Sequence, residues 1–140
     1  MIYHLDASAC VEHLRRPESP VHKWLRAVDA DTIRICSVVR AELWRGVEKW
    51  PAERNRIAVS TLLATFDTVP FDDEAARVYA KIRDNLERKG RIIGPYDLQI
   101  AAVALSRGAT LVTGNENEFQ RVQGLKCFPL TDLAAGKTPP

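Results

Sequence analysis

Along the chain, short runs of β-branched and aromatic residues alternate with longer stretches in which apolar positions recur every three or four residues. "MIYHL", "TIRICS", "ATLVT" and "LKCFPL" read as strands. "ATLVT" is the clearest: small, apolar, β-branched and preceded by a glycine turn. "TVPF" is a short strand at best. "ASACVEHLRR" reads as a helix, and Ser19 with Pro20 at the first helical position starts another in "SPVHKWLRAV". Ser37 is expected to cap "VVRAELWRGVEKW", and Pro51 to open "PAERNRIAVSTLLATF". Asp72 caps "DEAARVYAKIRDNLERKG", which Gly90 stops. Gly94 and Pro95 set a further helix running to about Arg107, with Ile100, Ala101, Ala104 and Leu105 as its core face and Gly108 as its end. "NENEFQRV" is a turn or short helix, and the tail "AAGKTPP" is expected to be loose.

Short buried strands alternating with helices predict an α/β fold: a parallel sheet covered on both faces. At 140 residues the chain is one domain, expected over residues 1–133 with a loose tail at 134–140. Hydrophobic residues at 46% and charged residues at 27% exclude a disordered or membrane-embedded class. No apolar run approaches the roughly 20 residues of a membrane span, and "MIYHLDASAC" has no export-signal pattern, so a cytoplasmic location is expected. Cys10, Cys36 and Cys127 are far apart and form no CxxC or Cys/His cluster, which argues against zinc or a disulfide framework and for buried apolar roles. A net charge of +2 announces no nucleic-acid binder, so only a local basic patch would serve.

In parallel α/β sheets, polar groups at the C-terminal ends of strands converge on one crevice. Four acidic places meet that criterion. Asp6 follows the first strand, Glu42 lies in the second turn of the helix after "IRICS", and Asp97 opens the helix leading to "ATLVT". The segment after "ATLVT" carries Asn115, Glu116 and Glu118. Each has an ordinary structural role open to it: Asp6 as an N-cap, Asp97 as a helix-start acid, Glu42, Glu116 and Glu118 as solvated acids, Asn115 as a turn residue. Their matching placement is what points to a shared pocket. Crowded carboxylates raise one another's pKa unless a cation compensates them. Oxygen donors without paired His or Cys favour Mg²⁺ or Mn²⁺, which polarises a phosphoryl oxygen and activates water. No Ser–His or Cys–His pairing offers a nucleophile; His4, His13 and His22 all lie near the N-terminus, the last two at helical positions expected to be exposed.

"LDAS", "SVVRAELWRG" and "GPYDLQIAAVALSRGATLVTGNENEFQRVQGL", in that order, resemble the PIN-domain ribonuclease toxins of bacterial VapBC-type toxin–antitoxin modules. The resemblance spans residues 2–130. It implies a three-layer α/β/α sandwich around a mostly parallel sheet of four to five strands. It also implies metal-binding roles for Asp6, Glu42 and Asp97. Glu118 is taken as the fourth carboxylate, because Asn115 stands where some relatives carry aspartate; Asn115 and Ser8 are then supporting groups. The implied activity is endonucleolytic cleavage of RNA by water with Mg²⁺ or Mn²⁺, and the implied partners are a cognate antitoxin segment in a surface groove and a second copy of the toxin. Arg40 and Arg45 flank Glu42, and with Arg15, Arg16, Arg88, Lys89 and Arg91 they are candidates for a basic rim that attracts phosphate. Of Trp44 and Trp50, one is expected in the core and the other in a groove. A metal-dependent DNA nuclease and a non-catalytic module on the same fold are the alternatives.

Overall fold

The strands are short and apolar, and in the computed structural model, which describes residues 1–140, the central ones are wholly or largely buried while the edge strands are partly exposed. β1 (Tyr3–Leu5), β2 (Ile33–Cys36), β3 (Asp67–Val69), β4 (Thr110–Thr113) and β5 (Lys126–Pro129) form one sheet in the order β3-β2-β1-β4-β5. Every pairing is parallel, with Tyr3 opposite both Ile33 and Thr110. All residues of β1 and β4 are buried, as central parallel strands require. The helices are α1 (Ala7–Arg15), α2 (Pro20–Ala27), α3 (Ser37–Lys49), α4 (Glu53–Thr65), α5 (Asp73–Arg88), α6 (Pro95–Ser106), α7 (Glu116–Phe119) and α8 (Leu130–Ala134). The crossovers β1→β2→β3 run one way across the sheet and β3→β4 runs back. Right-handed connections therefore put α1–α4 on one face and α5–α6 on the other, giving three layers.

α6 is more deeply placed than a one-faced helix. Leu98 and Ile100 through Ala104 are all buried, so it packs on all sides, against α5, α3 and β4. Arg107, just past its end, reaches Asp72 at 2.5 Å and Glu74 at 3.4 Å, tying the end of α6 to the start of α5. Ser19 and Asp72 cap α2 and α5 as expected. Ser37 does not cap α3. It lies inside the helix, and its hydroxyl accepts from the Phe71 amide instead, a tertiary contact across 34 positions. α4 starts at Glu53 rather than at Pro51. The expected loose end is preceded by α8, and the Tyr3 hydroxyl donates to the carbonyl of Pro140, so the last residue lies back against the start of the central strand β1.

Cys10 and Cys36 are buried and Cys127 half-buried, all three free. His13 and His22 are not solvated: both are half-buried and their rings stack at 4.7 Å, helix α1 against α2. Trp44 and Trp50 are both exposed, at 41% and 63%, so neither is core; the α3 face inward carries Val39, Leu43 and Val47. The remaining tryptophan, Trp24, packs edge-on against Tyr3.

Candidate active site

The strand order reverses between β1 and β4, and the crevice outside their C-terminal ends is the topological switch point where ligands of open α/β sheets bind. Asp6 leaves β1 directly into it. The residue is 3% exposed, and it is the N-cap of α1: its Oδ1 accepts from the Ala9 amide at 2.8 Å. The Ser8 hydroxyl donates to the same oxygen at 2.6 Å, and the Thr113 hydroxyl, from the end of β4, donates to Oδ2. Those two hydroxyls are oriented in turn. The Gly114 amide donates to Ser8 Oγ at 2.8 Å and the Asn115 amide to Thr113 Oγ1 at 2.8 Å. With each hydroxyl oxygen already accepting from a backbone amide, its own proton is directed to Asp6. Gly114 is tight against this arrangement: a Cβ there would stand 3.2 Å from Ser8 Oγ and 3.2 Å from Leu130.

α3 and α6 bring two further carboxylates to the same place. Glu42 and Asp97 both line a cleft of about 850 Å³ between these helices, with Ser37, Arg45, Tyr96 and Gln99. Asp97 is in the first turn of α6 but is not its cap; Gly94 holds the N-cap position, and the Asp97 carboxyl instead lies near enough to Glu118 of α7 for that acid to raise its proton affinity. The electrostatics show the four acids acting on one another. Burial raises the Asp6 pKa against the pull of its hydrogen bonds. Burial and then the negative Asp6 raise Glu42. Asp97 is pushed up to about 6, first by burial, then by Glu118, then by Asp6 and Glu42. None of the chain's ion pairs involves any of the four.

Of the other sequence candidates, Ser8 bears directly on Asp6, whereas Asn115 faces a separate small cleft with Pro129, Leu130 and Thr131. Glu118 is thus the acid that reaches Asp97. Thr113 escaped the sequence reading. The available signal was its place as the last residue of the clearest strand, but its partner is 107 positions away. Among the basic residues, Arg45 lines the large cleft. Arg40 does not; its guanidinium donates to the Leu63 carbonyl. Arg16 and Arg88 are paired with Glu12 and Asp84, and Lys89 and Arg91 are exposed but line neither large cleft. Arg15 borders a second, more apolar groove of about 360 Å³ between α1, α3 and α4, where Trp50, Leu14 and Val59 also lie.

The donor set suits a hard divalent cation. It is all oxygen, its acids are in no ion pair, and one of them, Asp97, is driven toward protonation by burial and then by the other acids. As the side chains stand, no three of the chain's His, Cys, Asp or Glu residues converge closely enough to cage an ion among themselves.

Residues 3–125 match the PIN domain. The chain is 38% identical over 127 residues to ribonuclease VapC2 of Rickettsia felis, a match covering 89% of this chain and 95% of that protein. It is 34% identical over 125 residues to the tRNA(fMet)-specific endonuclease VapC of Salmonella typhimurium, covering 87% and 92%. Among solved structures, the VapBC2 complex of Rickettsia felis bound to a promoter DNA fragment superposes with a TM-score of 0.84 at 36% identity, covering 92% of this chain and 98% of that one. The DNA-bound VapBC of Salmonella typhimurium gives 0.85 at 32%, covering 93% and 98%. With the sheet order, the switch-point acids and these likenesses in agreement, this chain belongs to the PIN-domain family, in its VapC branch.

Proposed function

We propose that the chain is the toxin of a VapBC-type pair and acts as an endoribonuclease that hydrolyses RNA phosphodiesters with Mg²⁺ or Mn²⁺. What supports this is that Glu42 and Asp97 line one cleft beside the switch point, that Asp6 and Glu118 act electrostatically on them, and that none of the four acids is in an ion pair. Asp6 and Asp97 would be the main residues to hold the cation, with Glu42 and Glu118 supporting them. A divalent cation there supplies Lewis-acid polarisation of the phosphodiester and a more acidic water.

The chain's own residues do the rest. Ser8 and Thr113 aim Asp6 by donating to both of its oxygens and favour its charged form against the opposing effect of burial. Glu42, whose proton affinity burial and then Asp6 raise, and Glu118 beside Asp97 are the groups to accept a proton from the attacking water. Arg45 offsets the repulsion between these acids and incoming phosphate. Ser8 and Asn115 remain supporting groups, Asn115 through the amide that orients Thr113. The apolar groove beside Trp50 suits an amphipathic antitoxin segment, and it meets the acidic cleft at Glu42, which lines both. A homodimer completes the proposed assembly.

The reading is tested by expressing the chain without an antitoxin and sequencing RNA ends from the arrested cells. New ends at a defined site, absent with Asp97→Asn, are expected. An unchanged RNA population with folded wild-type protein present contradicts the reading, and a DNA oligonucleotide cleaved in preference to RNA would reassign the substrate.

A further inference from the structure

Tyr96 stands out on α6. Eight of the helix's twelve residues lie between Asp97 and Ala104, and those are buried or half-buried, yet Tyr96 is 62% exposed. It is not a scattered surface aromatic, because it lines the same cleft as Glu42 and Asp97. Its backbone is set by its place in the first turn of α6, so the ring is presented with only two side-chain torsions free. Gln99 lies three residues on, on the same face of α6, and also lines the cleft. Across from them, α3 contributes Glu42 and, three residues on, Arg45, which is exposed and in no ion pair. The cleft therefore carries a division of chemistry: the carboxylates of Glu42 and Asp97, and beside them an aromatic face, a guanidinium and an amide.

From this division, and resting on the nuclease reading above, we propose that Tyr96 is the stacking platform for an unpaired nucleobase next to the scissile phosphate, with Arg45 on the neighbouring phosphate. The chemistry is that of single-strand recognition, in which an aromatic side chain takes a base face and a cation tracks the backbone. A phosphate placed at the acids leaves its attached nucleoside in the cleft of about 850 Å³, where Tyr96 is the only aromatic side chain. A base paired in a duplex has its faces already stacked, so the ring selects for an unpaired or splayed nucleotide. Gln99 is placed to meet the edge of that base.

The test separates stacking from cleavage. A short single-stranded oligoribonucleotide carrying 2-aminopurine is mixed with the chain in Mg²⁺, and the fluorescence change on binding is read by stopped flow before turnover. Wild type and Tyr96→Phe are expected to quench the probe alike. Tyr96→Ala is expected to bind about tenfold or more weakly, the loss that removal of one base–aromatic stack produces. An abasic site in place of 2-aminopurine, followed through a terminal dye, should weaken wild type to the same degree and leave Tyr96→Ala unchanged, because the two removals share one interaction. Equal binding by wild type and Tyr96→Ala, or losses that add, overturns the proposal. Cleavage is measured separately against Asp97→Asn: cleavage that survives that change sinks the nuclease assignment of the acids, whatever Tyr96 does to binding.

Discussion

At the scale of single residues, Asp6 shows why a structural role and a chemical one need not compete. Its Oδ1 caps α1 through the Ala9 amide, and the same carboxylate is aimed by Ser8 and Thr113 at the switch point. Thr113→Val keeps shape while removing the donor. It leaves Asp6 Oδ2 and the Asn115 amide without their partner, at a cost of about 1–3 kcal/mol. A lower urea midpoint together with slower RNA cleavage is the expected result; a change in stability alone would detach Thr113 from the chemistry. His4, 2% exposed with both ring nitrogens unpartnered, has its pKa lowered to about 4 by burial and then by Arg34 and Arg107. The unfolded chain takes up this proton near pH 6.5 while the folded chain resists it. Stability is therefore complete above that pH and is lost as pH falls toward 4, by up to about 3 kcal/mol from this residue. Denaturant midpoints measured from pH 7 to 4 should fall less steeply in His4→Leu than in wild type.

At the scale of elements, most of the secondary structure is legible from periodicity and punctuation. Pro20, Asp72, Gly90, Gly94 and Gly108 bound their helices much as read, and Gly90 and Gly108 take the left-handed conformation that stops a helix. Where structure and sequence differ, a neighbouring element decides: Ser37 is claimed by the Phe71 amide rather than capping its helix, and both Trp44 and Trp50 lie outside the inward stripe of Val39, Leu43 and Val47. Likewise the depth of α6 depends on α5 and α3 closing over it, which a single segment cannot reveal. That depth carries a consequence for the site, since α6 holds Asp97. Ala101 is wholly buried within it, and Ala101→Leu should cost about 1–3 kcal/mol by overpacking. A urea titration checks this, the midpoint falling with little change in slope.

At the scale of the whole molecule, the acids were found by a rule about strand ends, and their mutual placement was not. Which acid accompanies Asp97 depends on β4 lying beside β1 and on the short α7 turning Glu118 back, so Asn115 and Glu118 could be ranked only by resemblance until the fold was in hand. The assembled site has a thermodynamic signature. Asp97, raised to about 6, favours folding when protonated; that contribution is present below the ordinary carboxylate range and is lost as pH rises through 6. Discounted for solvent screening it is on the order of 1 kcal/mol. Mg²⁺ should therefore raise the melting temperature by several degrees at pH 8 and hardly at all at pH 5, where protons hold the site. Asp97→Asn should melt higher than metal-free wild type at pH 8 and respond little to Mg²⁺.

The central claim is that these carboxylates form a divalent-metal ribonuclease site, and one assay addresses it: purified chain incubated with total RNA in Mn²⁺, with and without chelator, beside folded Asp97→Asn. Cleavage at a defined site that chelation abolishes and Asp97→Asn reduces at least about 100-fold is the predicted result, the scale expected when a group that stabilises the transition state is removed. Defined cleavage that persists undiminished in chelator or in Asp97→Asn would contradict the account.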